Sequence, residues 1–249
     1  MTTAPSPSAA PRCALVTGGS TGIGLGICQQ LLDAGYQVVN LSRRTAPMQH
    51  PRLHNIAVDL ADPAATREAA AEAAARHAPT TVVHNAGVIR PALLPDVDIA
   101  DLALLSQLHL AAAITLVQHS LPAMQAAHFG RIVLISSRGA LGLAQRTAYA
   151  ATKSGMVGMA RTWALELARS GVTVNVVAPG PVRSEMLFDA FPDGSPQQTE
   201  LAGKIPVGRV GEPEDVANAV MFFAAPTSGF VTGQVLYVCG GASIGSLVL

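Results

Sequence analysis

The chain has 249 residues, long enough for one large α/β domain with a well-buried core. Apolar residues make up 49% and charged residues 13%, a composition that argues against a disordered chain. Lys and Arg number 16 and so do Asp and Glu, so no basic excess points to nucleic acid and no acidic excess to a basic partner.

Cys13, Cys28 and Cys239 are odd in number and their spacings match no metal site. They read as free thiols in a reducing cytoplasm. The start, Met1-Thr2-Thr3-Ala4-Pro5, lacks the basic and then apolar pattern of a secretory signal. No unbroken apolar run reaches the roughly 18 residues of a membrane span.

Residues 1–11 are rich in Pro, Ala and Ser and are expected to be a disordered lead-in, with a single domain over 12–249. The predicted elements then alternate. Strands are expected at 13–16, 37–41, 54–58, 80–84, 131–135, 172–177 and 234–238. Helices are expected at 23–34, 63–77, 99–127, 148–170 and 212–225, the last with Pro213 in its first turn, where a missing N–H costs nothing. Seven short apolar strands separated by helices imply a doubly wound α/β fold: a parallel sheet with helices on both faces.

Directly after the first strand comes Thr17-Gly18-Gly19-Ser20-Thr21-Gly22-Ile23-Gly24. Gly18 allows a tight turn, Gly22 a close approach to a pyrophosphate, and Gly24 tight helix–strand packing. Free N–H groups at the helix start would face the phosphates. A turn that merely needs glycine is the bland alternative, and the strand–turn–helix context argues against it.

Four further segments agree with this one. Asn85-Ala86-Gly87 follows the fourth strand, Ser136-Ser137 follows the fifth, Tyr149 and Lys153 lie four apart, and Pro179-Gly180-Pro181-Val182-Arg183-Ser184 follows the sixth. In this order the motifs resemble the short-chain dehydrogenase/reductase family over about residues 12–242, especially its ketoacyl-reductase-like members. The resemblance implies a Rossmann fold, a nicotinamide cofactor and a small alcohol or ketone substrate. It also implies a homotetramer joined through the long fourth and fifth helices, with Gly155, Gly158 and Ala160 permitting close approach. By resemblance, Asn85, Ala86 and Gly87 steady the sheet beside the adenine, Asp59 and Leu60 meet the adenine, and Pro179, Gly180, Val182 and Ser184 lie beside the nicotinamide.

The second strand ends Asn40-Leu41-Ser42-Arg43-Arg44 without a carboxylate. An acidic residue there would bond the ribose 2′-hydroxyl of NAD and repel a 2′-phosphate. Guanidinium groups suit phosphate, so NADP(H) is favoured and NAD(H) stays possible. Solvated surface arginines are the alternative.

Carbonyl reduction needs a hydride from the cofactor and a proton from the protein. Tyr149 is the expected general acid in reduction and base in oxidation. Lys153, on the same helix face, would lower the phenol pKa and, by resemblance, bond the nicotinamide ribose. Ser137 would polarise the substrate carbonyl. Ser136 is its rival. The family usually carries Asn in the fourth helix, where this chain reads Leu108-His109-Leu110. His109 can donate and accept, so it is a candidate for the proton relay behind Lys153, with a purely structural histidine as the alternative.

Residues 186–206 have no clear periodicity and read as a substrate lid at the carboxyl edge of the sheet. Pro181, Met186 and Leu187 are candidate substrate contacts, and Arg138, Gln145 and Arg146 could meet a polar substituent. Cys239 stands where the family more often has Asp and reads as a small buried thiol. The apolar tail Gly245–Leu249 is a candidate contact with a neighbouring subunit. A non-catalytic dinucleotide-binding sensor or scaffold is the alternative function, and an epimerase or dehydratase on a related fold a third. Such a sensor would be expected to lose Tyr149 or Lys153.

Overall fold

A computed structural model of the chain describes residues 12–189 and 191–244. The lead-in over 1–11 and the tail over 245–249 lie outside the described residues. Seven strands form one all-parallel sheet: β1 (Cys13–Thr17), β2 (Gln37–Ser42), β3 (Leu53–Ala57), β4 (Thr81–His84), β5 (Gly130–Ile135), β6 (Val172–Pro179) and β7 (Val235–Val238), in spatial order β3-β2-β1-β4-β5-β6-β7. Every residue of β1, β4, β5 and β6 is buried. That is why they read as continuous apolar runs: both faces are covered.

Helices α1 (Gly22–Asp33) and α8 (Pro213–Ala224) pack against each other on one face of the sheet. There Ile27, Leu31, Val216 and Phe223 join Val16, Val38 and Val133 in one core. On the other face α2 (Pro63–His77), α4 (Ala112–Ala126) and α5 (Thr147–Leu167) bury Ala69, Leu116, Met124 and Met156 against Leu15, Leu41 and Val174. The chain reverses its winding between β1 and β4, and this topological switch opens a crevice at their carboxyl ends.

Local chemistry sets the helix starts. Asp62 caps α2, accepting from the Ala64 and Ala65 N–H groups ahead of Pro63. Glu212 and Asp215 form a reciprocal capping box at α8.

The structure departs from expectation in two places. The run expected as one helix over 99–127 is interrupted: α3 (Ile99–Ser106) passes through a π-helical turn at Gln107–Ala111, where the Ala112 N–H reaches Gln107 O, before α4 resumes. This run is long and apolar enough to pass for a membrane span by length and composition. Leu105, Leu116 and Met124 on it are nevertheless fully buried in the protein. The segment expected to be irregular over 186–206 holds two short helices, α6 (Glu185–Phe188) and α7 (Pro196–Gly203), capped by the Ser184 and Ser195 side chains. Their brevity hides any period in the sequence.

Arg131 ties three elements together. It is buried, and its guanidinium donates to the carbonyls of Gly130, Gly171, Ala225 and Pro226 while lying 4.3 Å from the Phe129 ring centroid. Arg131→Ala is expected to lower unfolding stability by about 1–3 kcal/mol, because it removes a buried charged donor that serves four carbonyls, one of them on buried Gly130. Arg131→Lys should restore only part, since an ammonium cannot fork to four carbonyls. Urea unfolding of the three proteins checks this, and equal midpoints would refute it.

Candidate active site

The glycine-rich turn sits at the switch point, and its neighbours leave no room for side chains. Gly18 has φ 68° and Gly22 φ 51°, a left-handed region that favours glycine. A Cβ on Gly24 would lie 2.1 Å from Gly18 O and 2.6 Å from Asn85 Nδ2. Asn85 Nδ2 donates to the carbonyls of Thr17 and Gly18, so the Asn-Ala-Gly segment after β4 fixes the turn after β1. Ser20 is buried, and Thr21 precedes α1 in extended conformation with its hydroxyl uncommitted to capping. Ile23 packs on the α1/α8 core.

Asn40 is a residue that the sequence reading passed over. It is fully buried within β2, where its Oδ1 accepts from the Gly19 N–H and the Ser42 hydroxyl, and its Nδ2 donates to Asn55 Oδ1. An amide amid Val38-Val39 and Leu41 was the available signal, since a buried polar group must be paired. Ser42 is therefore buried, while Arg43 and Arg44 are exposed. Arg44 Nη2 lies 2.8 Å from Glu185 Oε2, so its guanidinium is already paired across the crevice with α6. Asp59 is exposed two residues beyond the end of β3, and its carboxylate accepts from the Ala61 N–H. The cap of α2 is Asp62, three residues on. Leu60 is buried, and its carbonyl accepts from Gln107 Nε2.

Ser137, Tyr149 and Lys153 converge at the carboxyl ends of β5 and β6. Ser136 Oγ donates to Lys153 O, which makes it a buried structural hydroxyl and leaves Ser137 as the serine that faces the crevice. Ser137 Oγ accepts from the Gly139 N–H and lies near enough to Tyr149 to lower its pKa. Tyr149 is 8% exposed, and burial raises its phenol pKa, opposed by the Ser137 hydroxyl and the nearby Arg146. The depression expected from Lys153 is absent in this geometry. The ammonium lies 5.7 Å from the Tyr149 ring centroid and donates to Ile135 O at 2.8 Å. Burial brings Lys153 itself down to about 7.

His109 belongs to this cluster. It is fully buried in the π-helical turn, with its ring edge-on to Tyr149 at 5.8 Å between centroids. Its Nδ1 lies 2.8 Å from Thr152 Oγ1, and its Nε2 accepts from the Val88 N–H at 3.4 Å. A Cβ on Gly87 would lie 2.9 Å from His109 Nε2 and 3.4 Å from Lys153 Nζ, so both nitrogens border one small space. A second buried histidine, His84, was missed in the sequence. Its Nε2 donates to Leu108 O and its Nδ1 pairs with Thr17 Oγ1, which in turn accepts from the N–H groups of Asn85 and Ala86. Burial first, and the Lys153 charge second, lower His84 to about 3 and His109 to about 2.

Pro179 ends β6, and the Gly180 N–H bonds Val238 O. A Cβ on Gly180 would meet Cys239, whose buried thiol donates to Ser243 Oγ. Val182 is buried beside Gly211, and Pro181 is partly buried. Ser184 caps α6, and its Cβ stands 3.2 Å from where a Gly22 Cβ would be, which brings the start of α6 onto the glycine-rich turn. Met186 is exposed and Leu187 partly buried. Gln145 has φ 64°, strained for a side-chain-bearing residue, and its carbonyl accepts from the Ala92 N–H, so the two mouth loops are joined.

The residues fit a dinucleotide. Gly18, Gly22 and Gly87 leave backbone exposed where side chains would fill the crevice, and Ser42 with the exposed Arg43 stands at the end of β2.

Comparisons with known proteins agree. Residues 18–243 match the family described as enoyl-(acyl carrier protein) reductase. The (2S)-[(R)-hydroxy(phenyl)methyl]succinyl-CoA dehydrogenase subunit BbsC of Thauera aromatica is 38% identical over 247 residues, covering 93% of this chain and 94% of that protein. The 3-oxoacyl-[acyl-carrier-protein] reductase MabA of Mycobacterium tuberculosis is 35% identical over 236 residues, covering 94% of each chain. Among solved structures, a blue fluorescent protein from a metagenomic library in complex with NADPH superposes with a TM-score of 0.82 at 30% identity, covering 93% of this chain and 98% of that one.

The two buried histidines make acid stability testable. Their folded pKa values lie below the usual 6.5, so the unfolded chain binds more protons as pH falls through 6.5. Stability they leave intact above that value is therefore lost on acidification toward 3. Each steepens the loss by about 1.4 kcal/mol per pH unit. Between pH 6.5 and 4.5 the unfolding free energy of wild type should fall more steeply than that of His84→Asn by about 1.4 kcal/mol per pH unit, and parallel curves would refute it.

Proposed function

The chain belongs to the short-chain dehydrogenase/reductase family, and from that premise we propose that it is an NADP(H)-preferring oxidoreductase interconverting a secondary alcohol and a ketone, with Tyr149 as general acid and base. The observation that carries the reading is the convergence of Ser137, Tyr149 and Lys153 at the sheet edge beside the glycine-rich turn. A sensor that had lost its chemistry has no reason to keep this constellation.

The hydride is the contribution of the dinucleotide when it is bound. Gly18, Ser20, Thr21, Gly22, Ile23 and Gly24 would hold its pyrophosphate side. Ser42, Arg43 and Arg44 would hold the adenosine ribose, with Arg44 exchanging Glu185 for a 2′-phosphate. Asp59, Leu60, Asn85, Ala86 and Gly87 would border the adenine and the crevice floor, and Pro179, Gly180, Val182 and Ser184 the nicotinamide side. Ser137 bonds the substrate oxygen and Tyr149 gives it a proton in reduction. In oxidation Tyr149 takes that proton back. Burial alone would keep the phenol protonated, so the Lys153 ammonium must turn from Ile135 O toward the ribose and phenol as the site fills. His109 supports proton relay behind Lys153.

The substrate we propose is a 3-oxoacyl or 3-hydroxyacyl thioester. The named relatives act on a CoA ester and an acyl-carrier-protein ester, and the crevice mouth carries exposed Leu94, Leu141, Leu143 and Met186 beside Arg146. Pro181, Met186 and Leu187 would meet the acyl chain beneath a lid over 186–206. The enzyme is read as a cytoplasmic homotetramer. Leu165 on α5 and Phe222 on α8 are exposed apolar residues suited to contacts between copies, whereas Ala160 lies in the core of its own chain and only Gly155 and Gly158 remain for close helix approach.

Acetoacetyl-CoA reduction followed at the reduced-nicotinamide absorbance tests the reading. NADPH should show a lower KM than NADH, and Tyr149→Phe should lose about 10²–10⁴ in kcat. A lower KM for NADH overturns the cofactor preference, and an active Tyr149→Phe overturns the mechanism. Light scattering should report four chains per particle, and a monomer would refute the assembly.

A further inference from the structure

The buried hydrogen bonds around His109 can be assigned a direction, because each partner has limited capacity. A backbone N–H can only donate, so Val88 N–H makes Nε2 an acceptor. A neutral imidazole with an unprotonated Nε2 carries its proton on Nδ1, which therefore donates to Thr152 Oγ1 at 2.8 Å. Thr152 can accept it, because its own hydroxyl proton goes to the carbonyl of Ala148 or Tyr149, at 3.0 and 3.1 Å. His84 resolves the other way. Leu108 O can only accept, so His84 Nε2 carries the proton and Nδ1 accepts from the Thr17 hydroxyl.

We propose that Thr152 is a positioning residue that locks His109 in its Nδ1–H form, so that the Nε2 lone pair, and not an N–H, faces Lys153 Nζ across Gly87. The opposite tautomer would aim an N–H at both the Val88 N–H and the ammonium. The Nδ1–H cannot pass its proton inward, because the Thr152 hydroxyl is itself bonded to a backbone carbonyl. His109 thus acts as a fixed acceptor that orients what lies between it and Lys153, and the imidazole stays neutral throughout. The titratable groups facing it are Lys153 and Tyr149 from α5 and His84 from β4. This inference rests on the reading that His109 supports proton transfer behind Lys153.

The test uses the full-length protein labelled with 15N-histidine. In the cofactor-free wild type, His109 should show Nδ1 protonated with Nε2 as acceptor, and His84 the reverse. Thr152→Val should shift only the His109 ring signals, with unchanged His84 signals reporting an intact fold. It should also reduce kcat roughly 3- to 10-fold, short of the 10²–10⁴ of a lost proton donor, and alter its pH profile. Thr152→Ser keeps the hydroxyl and should restore both. An Nε2–H tautomer in wild type overturns the proposal, as does a Thr152→Val protein with unaltered His109 signals and pH profile. The underlying reading fails separately if His109→Leu leaves activity and its pH dependence unchanged.

Discussion

A single run of buried hydrogen bonds underlies the site. It begins at the Asn85 and Ala86 N–H groups, passes through the Thr17 hydroxyl to His84, and ends on Leu108 O in the π-helical turn. The next residue, His109, continues it into α5 through Thr152. The glycine-rich turn, the segment after β4, the interrupted helix and the helix bearing Tyr149 and Lys153 are thus tied to one another away from water. Each of these groups is costly to bury unpaired and directional when paired, so the run fixes relative positions more tightly than apolar contact could.

The electrostatics follow from the same burial. Among the described residues no carboxylate accompanies Lys153, and burial holds the pKa values of the two histidines beside it well below 6.5. The lysine is therefore held near its point of deprotonation by desolvation alone. Tyr149 is pushed the other way by the same cause. In the proposed function a bound dinucleotide would offer the ammonium acceptors other than Ile135 O. Both Leu108, whose carbonyl meets His84, and His109 lie in the π-helical turn.

On the opposite wall the crevice is closed by charge rather than by packing. Arg44 reaches Glu185, and Arg183 pairs with Asp193 and Glu212, so the start of α6 and the segment after it are held by ion pairs exposed to solvent. Exposed pairs of this kind contribute little to stability and exchange partners readily. The buried histidine run behind them is held, by contrast, by hydrogen bonds that have no solvent to exchange with.

The class of fold was legible in the sequence, and so were the residues that the fold gathers at the carboxyl edge of the sheet. Seven apolar strands alternating with helices could only be a covered parallel sheet, and their boundaries fell within a residue or two of those observed. Thr17 to Gly24, Asn85 to Gly87, Ser137, Tyr149 and Lys153 were legible because their spacing is local and tied to strand ends and helix turns. Only the tertiary structure decided the rest. Asn40 and His84 look like stray polar residues in apolar strands until their partners 15 to 67 positions away are known. Thr152 is an ordinary helix residue until His109 lies against it. Arg44 looks like a free phosphate ligand until Glu185, from beyond β6, is seen to hold it. Period and spacing report along the chain, whereas hydrogen-bond partners and desolvation depend on which distant segments the fold brings together.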